Sequence, residues 1–361
     1  MDRDPTAAGF AFADKRAVVS SEDEVAVERL ARAMGVDGII SPGADWPVGV
    51  AARVADRLGL AHPIDVEAAS LATVKTRQRE RLVAAGVAQP RVFGPNEEPP
   101  VPCVVKAADR QGQRGLTLVR ERRELAAALA TAAEESRTGS VLVEELVDGP
   151  EVTVNAISID GRFVPLTVTD RLTADSPAFG VALAHTWPSV HDVESAARAA
   201  ASAAEALGIS NGPTYTQIRI EPDGPRVIEL AARLGGGHDA ELCEAALGVD
   251  LNGLAIRCAL GAHSVRVTVP GQPPVGGACV VFLVPPEGEL TAVHGLDDAA
   301  AVDGVRWVRI YRRPGWVFGP FRRGADRAGA ILAVGSDRED ALERARRAAE
   351  AVRFEIDAHP A

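Results

Sequence analysis

The sequence predicts an α/β fold: a small parallel sheet at the start, then antiparallel hairpins separated by helices. Three observations carry this. The first 65 residues alternate short apolar strands with helices, the pattern of a parallel sheet covered by helices. Asp160-Gly161 and the PDG at 222–224 each lie between two strand-like runs, as hairpin turns do. Between the hairpins, DVESAARAAASAAEAL (192–207) is an alanine-rich helix closed by Gly208.

Along the chain, AVVS (17–20) and DGIIS (37–41) read as strands, while EDEVAVERLARAM and PVGVAARVADRLG carry apolar residues at helical spacing. The opening DRDP looks like the end of a strand with no glycine turn before it. The expectation is a partial N-terminal domain over 1–65, truncated or with a misplaced start. A helix over about 67–85 follows, then the turn-rich VFGPNEEPPVPC. PCVVKAADRQGQRGLTLVRERRELAAALATA reads as strand, glycine-containing loop, strand and helix. VLVEELVDGPEVTVNAISIDGRFVPLTVTDR gives a strand and an antiparallel pair; TYTQIRIE and PRVIELAAR make the second hairpin. From about Ser264, GGACVVFLV, VRWVRIY and AILAVGS are strands, and a final helix from Arg338 to Val352 has the mixed charges of a solvated face.

With 361 residues, 47% apolar and 25% charged, the chain is ordinary for a soluble protein of two or three domains. A net charge of −11 argues against a nucleic-acid partner, although a few gathered cations can still hold a small polyanion. No apolar run approaches the roughly 20 residues of a bilayer span, so no membrane partner is expected. The start lacks the order of a signal peptide. Cys103, Cys243, Cys258 and Cys279 are scattered, with no C-x-x-C, which fits free thiols in a reducing cytoplasm.

Of 39 basic residues only Lys15, Lys75 and Lys106 are lysines. Where arginine fills nearly every basic position, a retained lysine marks a place for a compact ammonium instead of a planar fork. Lys15, between Asp14 and Arg16, reads as chance. Lys106 ends an apolar strand and opens a loop in which Gly112 and Gly115 can turn amides toward an anion, with Gln113 and Arg114 as further donors. The same stretch also reads as a plain polar hairpin tip, and it is not a Walker loop. VEELVDGPE sets Glu144, Glu145 and Glu151 around a strand end, either as acceptors for an adenine amine and ribose hydroxyls or as an acidic surface turn. Strand alternation puts Tyr215, Gln217 and Arg219 on one face of TYTQIRI, and Val227, Glu229, Ala231 and Arg233 on one face of VIELAAR. Paired across the turn, Gln217 and Glu229 would offer oxygen ligands suited to Mg²⁺; the plainer reading is a polar sheet face. Gly235, Gly236 and Gly237 precede a helix whose N-terminus is a natural anion site. GISNG (208–212) matches G-x-S-x-G, but a helix precedes it and a strand follows, the reverse of a nucleophile elbow. His62, His191 and His263 lack metal-ligand spacing and read as packing or surface residues.

In this order, the segments from about 67 to 260 resemble the ATP-grasp superfamily, most of all the carboxylate–amine ligases allied to the carbamoyl-phosphate synthase large chain and bacterial L-amino-acid ligases. SLATVKTRQRERLVAAGVAQPR is similar to the family's first helix, which implies that Lys75 reaches the ATP phosphates. VVKAADRQGQRGLTLV matches the central lysine and mobile phosphate loop, and so implies ATP contacts for Lys106, Gln113, Arg114 and Gly115. VEELVDGPE matches the hinge, with Glu144 and the backbone of Glu145 to Val147 at adenine and Glu151 at the ribose. The second hairpin matches the metal strands: Glu229 is the main carboxylate, Gln217 stands where many members carry an acid, and Arg233 fits the arginine that stabilises the tetrahedral intermediate. The family's E-x-N-x-R is broken by Ala231, which leaves one or two metals open. AFGVALAHTWPS resembles the acceptor-facing strand, making His185 a substrate contact, and the resemblance implies that the amides of Gly235 to Gly237 join Arg233 in stabilising the oxyanion of the bound substrate.

The resemblance implies a two-lobed α+β ATP-grasp domain over 66–263, with its nucleotide lobe at about 103–147, and a C-terminal α/β domain over 264–361. It also implies ATP with Mg²⁺ (or Mn²⁺) as cofactors, small-molecule carboxylate and amine substrates, an acylphosphate route and a homodimer. Two rivals stand beside this: a bicarbonate-using carboxyphosphate enzyme, and a nucleotide-binding module without chemistry.

Overall fold

The computed structural model describes residues 1–262 and 266–358. His263 and the boundary expected at 263–264 lie outside the described residues. The N-terminal region holds two helices, α1 (Glu24–Met34) and α2 (Asp45–Leu58). Asp23 caps α1 by accepting from the Ala26 amide at 3.0 Å, and Gly35 and Gly59 close the two helices in the left-handed conformation. The expected parallel sheet is reduced to isolated parallel bridges, Asp2 with Val18 and Gly38 with Ala61. Its parallel sense holds, but Val18 and Ile40 stay exposed, so these runs gain too little burial to build a ladder.

The single helix expected over 67–85 is two, α3 (Val66–Thr73) and α4 (Lys75–Ala84). The β-branched pair Thr73-Val74 marks the break, where Val74 is extended (φ −109°, ψ 104°). The Lys75 amide, released from the preceding turn, donates to the Ala108 carbonyl at 2.8 Å. This break sets Lys75 at the start of a helix against the next unit.

That unit is a three-stranded antiparallel sheet of β1 (Cys103–Ala107), β2 (Thr117–Val119) and β3 (Val141–Glu145), with β1 central and α5 (Leu125–Glu135) on one face. Cys103, Val105 and Val119 pack on Ala128 and Ala132 of α5, so Val104 and Lys106 must face the other way.

The remaining elements are β4 (Glu151–Ile159), β5 (Arg162–Thr173), β6 (Ala182–Trp187), α6 (Val193–Ala206), β7 (Gly212–Glu221), β8 (Gly224–Ala231), α7 (Asp239–Leu247) and α8 (Leu251–Ala259). They are followed by β9 (Gly277–Leu283), β10 (Gly288–His294), α9 (Leu296–Ala300), β11 (Val305–Ile310), β12 (Val317–Phe318), β13 (Gly329–Gly335), α10 (Arg338–Ala351) and β14 (Arg353–Asp357). Eight strands form one antiparallel sheet in the order β11-β13-β9-β6-β5-β4-β7-β8, and β10 pairs with β12 and β14 in a third sheet. The C-terminal strands therefore continue the central sheet through the β6–β9 ladder. Both expected hairpins form; Asp160 (φ 49°) and Gly161 (φ 80°) make the tight turn between β4 and β5.

The alanine stripe of α6 (Ala196, Ala200, Ala203) packs on Val152, Val154 and Ile218. On the opposite face of β4, β5 and β7 lie Thr153, Asn155, Thr167, Arg171, Tyr215 and Gln217, an unusually polar set for a largely buried sheet. Among the described residues no helix is long and apolar enough to cross a membrane.

Candidate active site

One cavity lies between the small sheet and the polar face of the large one. Its walls include Lys75, Lys106, Glu144, Gln217, Glu229 and Arg233. Each arrives for a local reason. Lys106 is on the unpacked face of β1, and Glu144 faces the same side from β3, opposite Val104. The Lys106 ammonium pairs with one Glu144 oxygen, while Arg79 Nε of α4 donates to the other at 2.5 Å. This cluster is almost fully buried. Burial pushes the Lys106 ammonium below its ordinary value, against the pull of Glu144. For Glu144, burial pushes the carboxyl up, but Arg79 and Lys106 together prevail and hold it below the usual range. The net charge of the three groups is positive, which suits an anion.

Lys75 reaches in from the start of α4. Its Nζ donates to the Arg110 carbonyl at 2.6 Å and lies 3.0 Å from Glu229 Oε1. Glu229 stands directly opposite Gln217 in the β7–β8 ladder. The alternation expected for VIELAAR fails one residue earlier: a bulge at Ile228 turns Val227 into the core beside Ile218 and Leu230, so Val227 does not share the face of Glu229. Arg79 holds this bulge, donating to the carbonyls of Val227 (3.0 Å) and Ile228 (2.5 Å). Burial raises the Glu229 carboxyl, yet Lys75 and Lys106 outweigh it and keep the group low.

Arg233 donates through Nε to Asp45 Oδ1 at 2.6 Å, so the N-terminal α2 braces this side chain of the wall. Neither Asp45 nor Arg79 stands out in the sequence. Arg79 is one helical turn beyond Lys75, a spacing that could have found it; nothing near Asp45 in sequence points to Arg233.

The hinge differs in detail from its expectation. Glu145, Leu146 and Val147 line the cavity beside Pro90, Phe179 and Ile228, an apolar slot with backbone groups at its edge. The side chains of Glu144 and Glu151 are not free acceptors there. Glu144 is held by Arg79 and Lys106; Glu151 pairs with Arg171 and lies 3.4 Å from Arg219 Nη2. Gln113 and Arg114 line the wall, but Gly115 does not: it packs under the loop, where a Cβ would come within 3.1 Å of that of Ala107. Its positive φ of 66° is a requirement of the turn.

A second cavity opens from the same end and shares Gln113, Arg114, Gln217 and Arg233 with the first. His185, Tyr215, Gly236 and Gly237 line it. His185 is buried, and burial pushes its pKa down to about 4, so the ring is neutral at neutral pH. The helix N-terminus after the glycines is not an open anion site. Asp239, the first residue of α7, is fully buried and accepts from the Gly237 amide at 3.2 Å and from Asn155 at 3.2 Å. The glycines are needed for packing instead: a Cβ at Gly237 would lie 2.6 Å from His185 Nε2, and one at Gly235 would strike Asp239. Gly235 does not line either cavity.

Glu229 and Gln217 are hard oxygen donors, opposed on one ladder rung, and suit a single Mg²⁺ or Mn²⁺ that takes its other ligands from phosphate and water. A second ion finds less: Gln217 is neutral and Ala231 brings no donor. Among the described residues no cluster of three or more His, Cys, Asp or Glu forms an all-protein metal cage.

Two family descriptions match the chain: an ATP-grasp domain over residues 99–241 and L-amino acid ligase C-terminal domain 2 over residues 281–357. The chain is 29% identical over 346 residues to the uncharacterized protein y4rH of Sinorhizobium fredii, covering 91% of this chain and 70% of that one. It is 24% identical over 310 residues to dapdiamide A synthase of Enterobacter agglomerans, covering 76% and 70%. The crystal structure of L-amino acid ligase from Bacillus licheniformis superposes with a TM-score of 0.82 over 93% of this chain and 86% of that one, at 23% identity, a likeness of fold.

Proposed function

The chain is an ATP-grasp ligase that carries an L-amino acid ligase C-terminal domain, and from that premise we propose that it joins a small carboxylate, first of all an amino acid, to an amine in the cytoplasm. The carrying observation is the single cavity walled by Lys75, Lys106, Gln217, Glu229 and Arg233, with an apolar slot and the hinge backbone at one end.

In this reading the slot takes adenine, with hydrogen bonds from the backbone of Glu145 to Val147, and Lys75 and Lys106 hold the phosphates. Gln113 and Arg114 cover them from the loop and exclude water. Glu229 and Gln217 would hold Mg²⁺, which when bound neutralises phosphate charge. The substrate carboxylate oxygen attacks the γ-phosphorus and ADP leaves. The amine nitrogen then forms the C–N bond, the C–O bond to phosphate breaks with its electrons on phosphate, and the amine proton passes to solvent. Arg233 donates to the oxyanion of the tetrahedral intermediate. The match of residues 281–357 to the ligase C-terminal domain supports this reading over the bicarbonate one.

The test is pairwise screening of amino acids and amines with ADP release and product mass as readouts. Release should need both substrates, and the product should weigh one water less than their sum. Lys106→Met should lower kcat by about 10²–10³ and stay folded, because Glu144 keeps Arg79. ADP formed with bicarbonate alone, or ATP bound without ADP across the panel, overturns the proposal.

A further inference from the structure

The second cavity contains a cation of a different kind. Arg233 and Arg171, which also line it, are each paired with a carboxylate, Asp45 and Glu151. Arg327 is not: among the described residues no carboxylate lies within ion-pair distance of it, although it is half-buried. Arg3, Arg110 and Arg114 of the same cavity also lack such a partner, but Arg3 is exposed and the other two belong to the loop shared with the first cavity. Burial pushes its guanidinium below the ordinary arginine value. The group is nevertheless held firmly. Its plane covers the Phe282 ring, 3.7 Å from the centroid, Nε donates to the Gly324 carbonyl at 2.8 Å, and Nη1 reaches the Ala182 carbonyl at 3.3 Å. Two neutral carbonyls and a ring fix the fork without neutralising it, and Nη2 donates to no protein acceptor among the described residues.

A half-buried guanidinium that is anchored but unpaired is destabilising in the protein alone, and an anionic ligand offsets that cost. The reaction proposed above limits which anion. The carboxylate to be activated lies at the phosphates, beside Lys75 and Lys106. An acceptor that is itself an amino acid brings a second carboxylate, which survives the reaction and needs a cation away from the nucleotide. Arg327 is in the cavity that joins the nucleotide cavity at Gln217 and Arg233, and it belongs to the segment matched as a ligase C-terminal domain.

We propose that Arg327 binds the carboxylate of the amine-bearing substrate, so that this substrate is an amino acid and not ammonia or a neutral amine. The inference rests on the ligase reading and deepens it. It gives the C-terminal segment a specific role, in which one arginine on the approach to β13 sets the length and charge of the acceptor.

Binding can be measured without turnover. Calorimetry in the presence of a non-hydrolysable ATP analogue compares a panel of amino acids with their carboxamides, on the full chain. The wild type should bind the acids about 10- to 100-fold more tightly than the carboxamides, the range of a lost charge-assisted hydrogen bond. Arg327→Met, which keeps the contact with Phe282, should remove that preference while leaving the carboxamide affinity in place, and Arg327→Lys should retain part of it. Melting temperature and affinity for the ATP analogue are read on both variants; if Arg327→Met is unfolded, Arg327→Lys carries the test with about a tenfold loss of preference. A preference that survives in Arg327→Met, equal weakening of acid and carboxamide, or no binding of any amino acid overturns the proposal. Failure of the ligase reading is separate: it is the absence of ADP in turnover assays, with the binding preference still measurable.

Discussion

Replacing Arg79 by methionine removes the group that ties the small sheet to the β7–β8 hairpin. Arg79 is 5% exposed in its side chain, and its guanidinium reaches Glu144, Gln89 and the carbonyls of Val227 and Ile228. Deleting one partner of a buried ion pair costs about 3–5 kcal/mol. Here Lys106 still faces Glu144, which lowers that figure, but two carbonyls also lose their donor at about 1–3 kcal/mol each. The contributions overlap, and we expect a loss of about 3–5 kcal/mol, a large part of a typical domain's stability. Urea unfolding at pH 7 reads it as a lower midpoint at unchanged slope. The pH dependence gives a second reading. The folded Glu144 carboxyl lies below its usual 4.5, so the stabilisation is fully present above that value and fades as pH falls through the lower folded value. The gap between wild type and Arg79→Met should therefore narrow below about pH 4.5. A loss under about 1 kcal/mol at pH 7, or a gap that does not narrow in acid, would refute the view of Arg79 as the partner of Glu144.

Two further outcomes follow from the second cavity. His185 is held near 4 when folded against an ordinary 6.5, so between these values the unfolded chain binds the extra proton and stability rises with pH. Wild type should lose roughly 3 kcal/mol more than His185→Gln on going from pH 7 to pH 4, by the usual 1.36 kcal/mol per pH unit, as read from urea midpoints; parallel curves would rule this out. Gly237→Ala places a Cβ 2.6 Å from His185 Nε2 and should destabilise by about 1–3 kcal/mol through forced repacking. A thermal-shift comparison with Gly236→Ala, where a Cβ meets nothing within 4 Å, serves as its control.

Much of the central architecture was legible because its signals are local. Two-residue hairpin turns, an alanine stripe and strand alternation each act within a few residues, but the rung that sets Gln217 opposite Glu229 needs the bulge, since the register of the turn alone would pair Gln217 with Ile228. The scarcity of lysine pointed to Lys75 and Lys106, which do line one cavity. Local signals misled where a neighbour overrode them. The period of two breaks at Ile228 because Arg79, about 150 positions earlier in the chain, takes the carbonyls that a regular strand would give to its ladder. The helix over 67–85 divides where the Lys75 amide finds Ala108, and the N-terminal strands stay single bridges for want of a face to bury.

Charge pairing was the least legible layer, for a physical reason. A sequence displays every carboxylate as free, whereas a fold places it beside whichever cation the topology delivers. Glu144 and Glu151 read as acceptors for a nucleotide, yet each meets arginine from another element: Arg79 for one, Arg171 and Arg219 for the other. Arg79 lies in a run with Arg77 and Arg81, and only packing distinguishes them, since Arg77 reaches Glu67 at the surface and Arg79 alone is buried. The same reasoning runs in reverse for the glycines. Gly235 to Gly237 resemble an anion-binding turn until Asp239 is seen to fill it, and what they supply is room for a buried carboxylate and imidazole to lie side by side. An unpaired member of this layer is consequently informative: Arg327 of the second cavity is half-buried, anchored on Phe282 and the Gly324 carbonyl, and without a carboxylate partner among the described residues, and no local pattern in GADRAG could have singled it out.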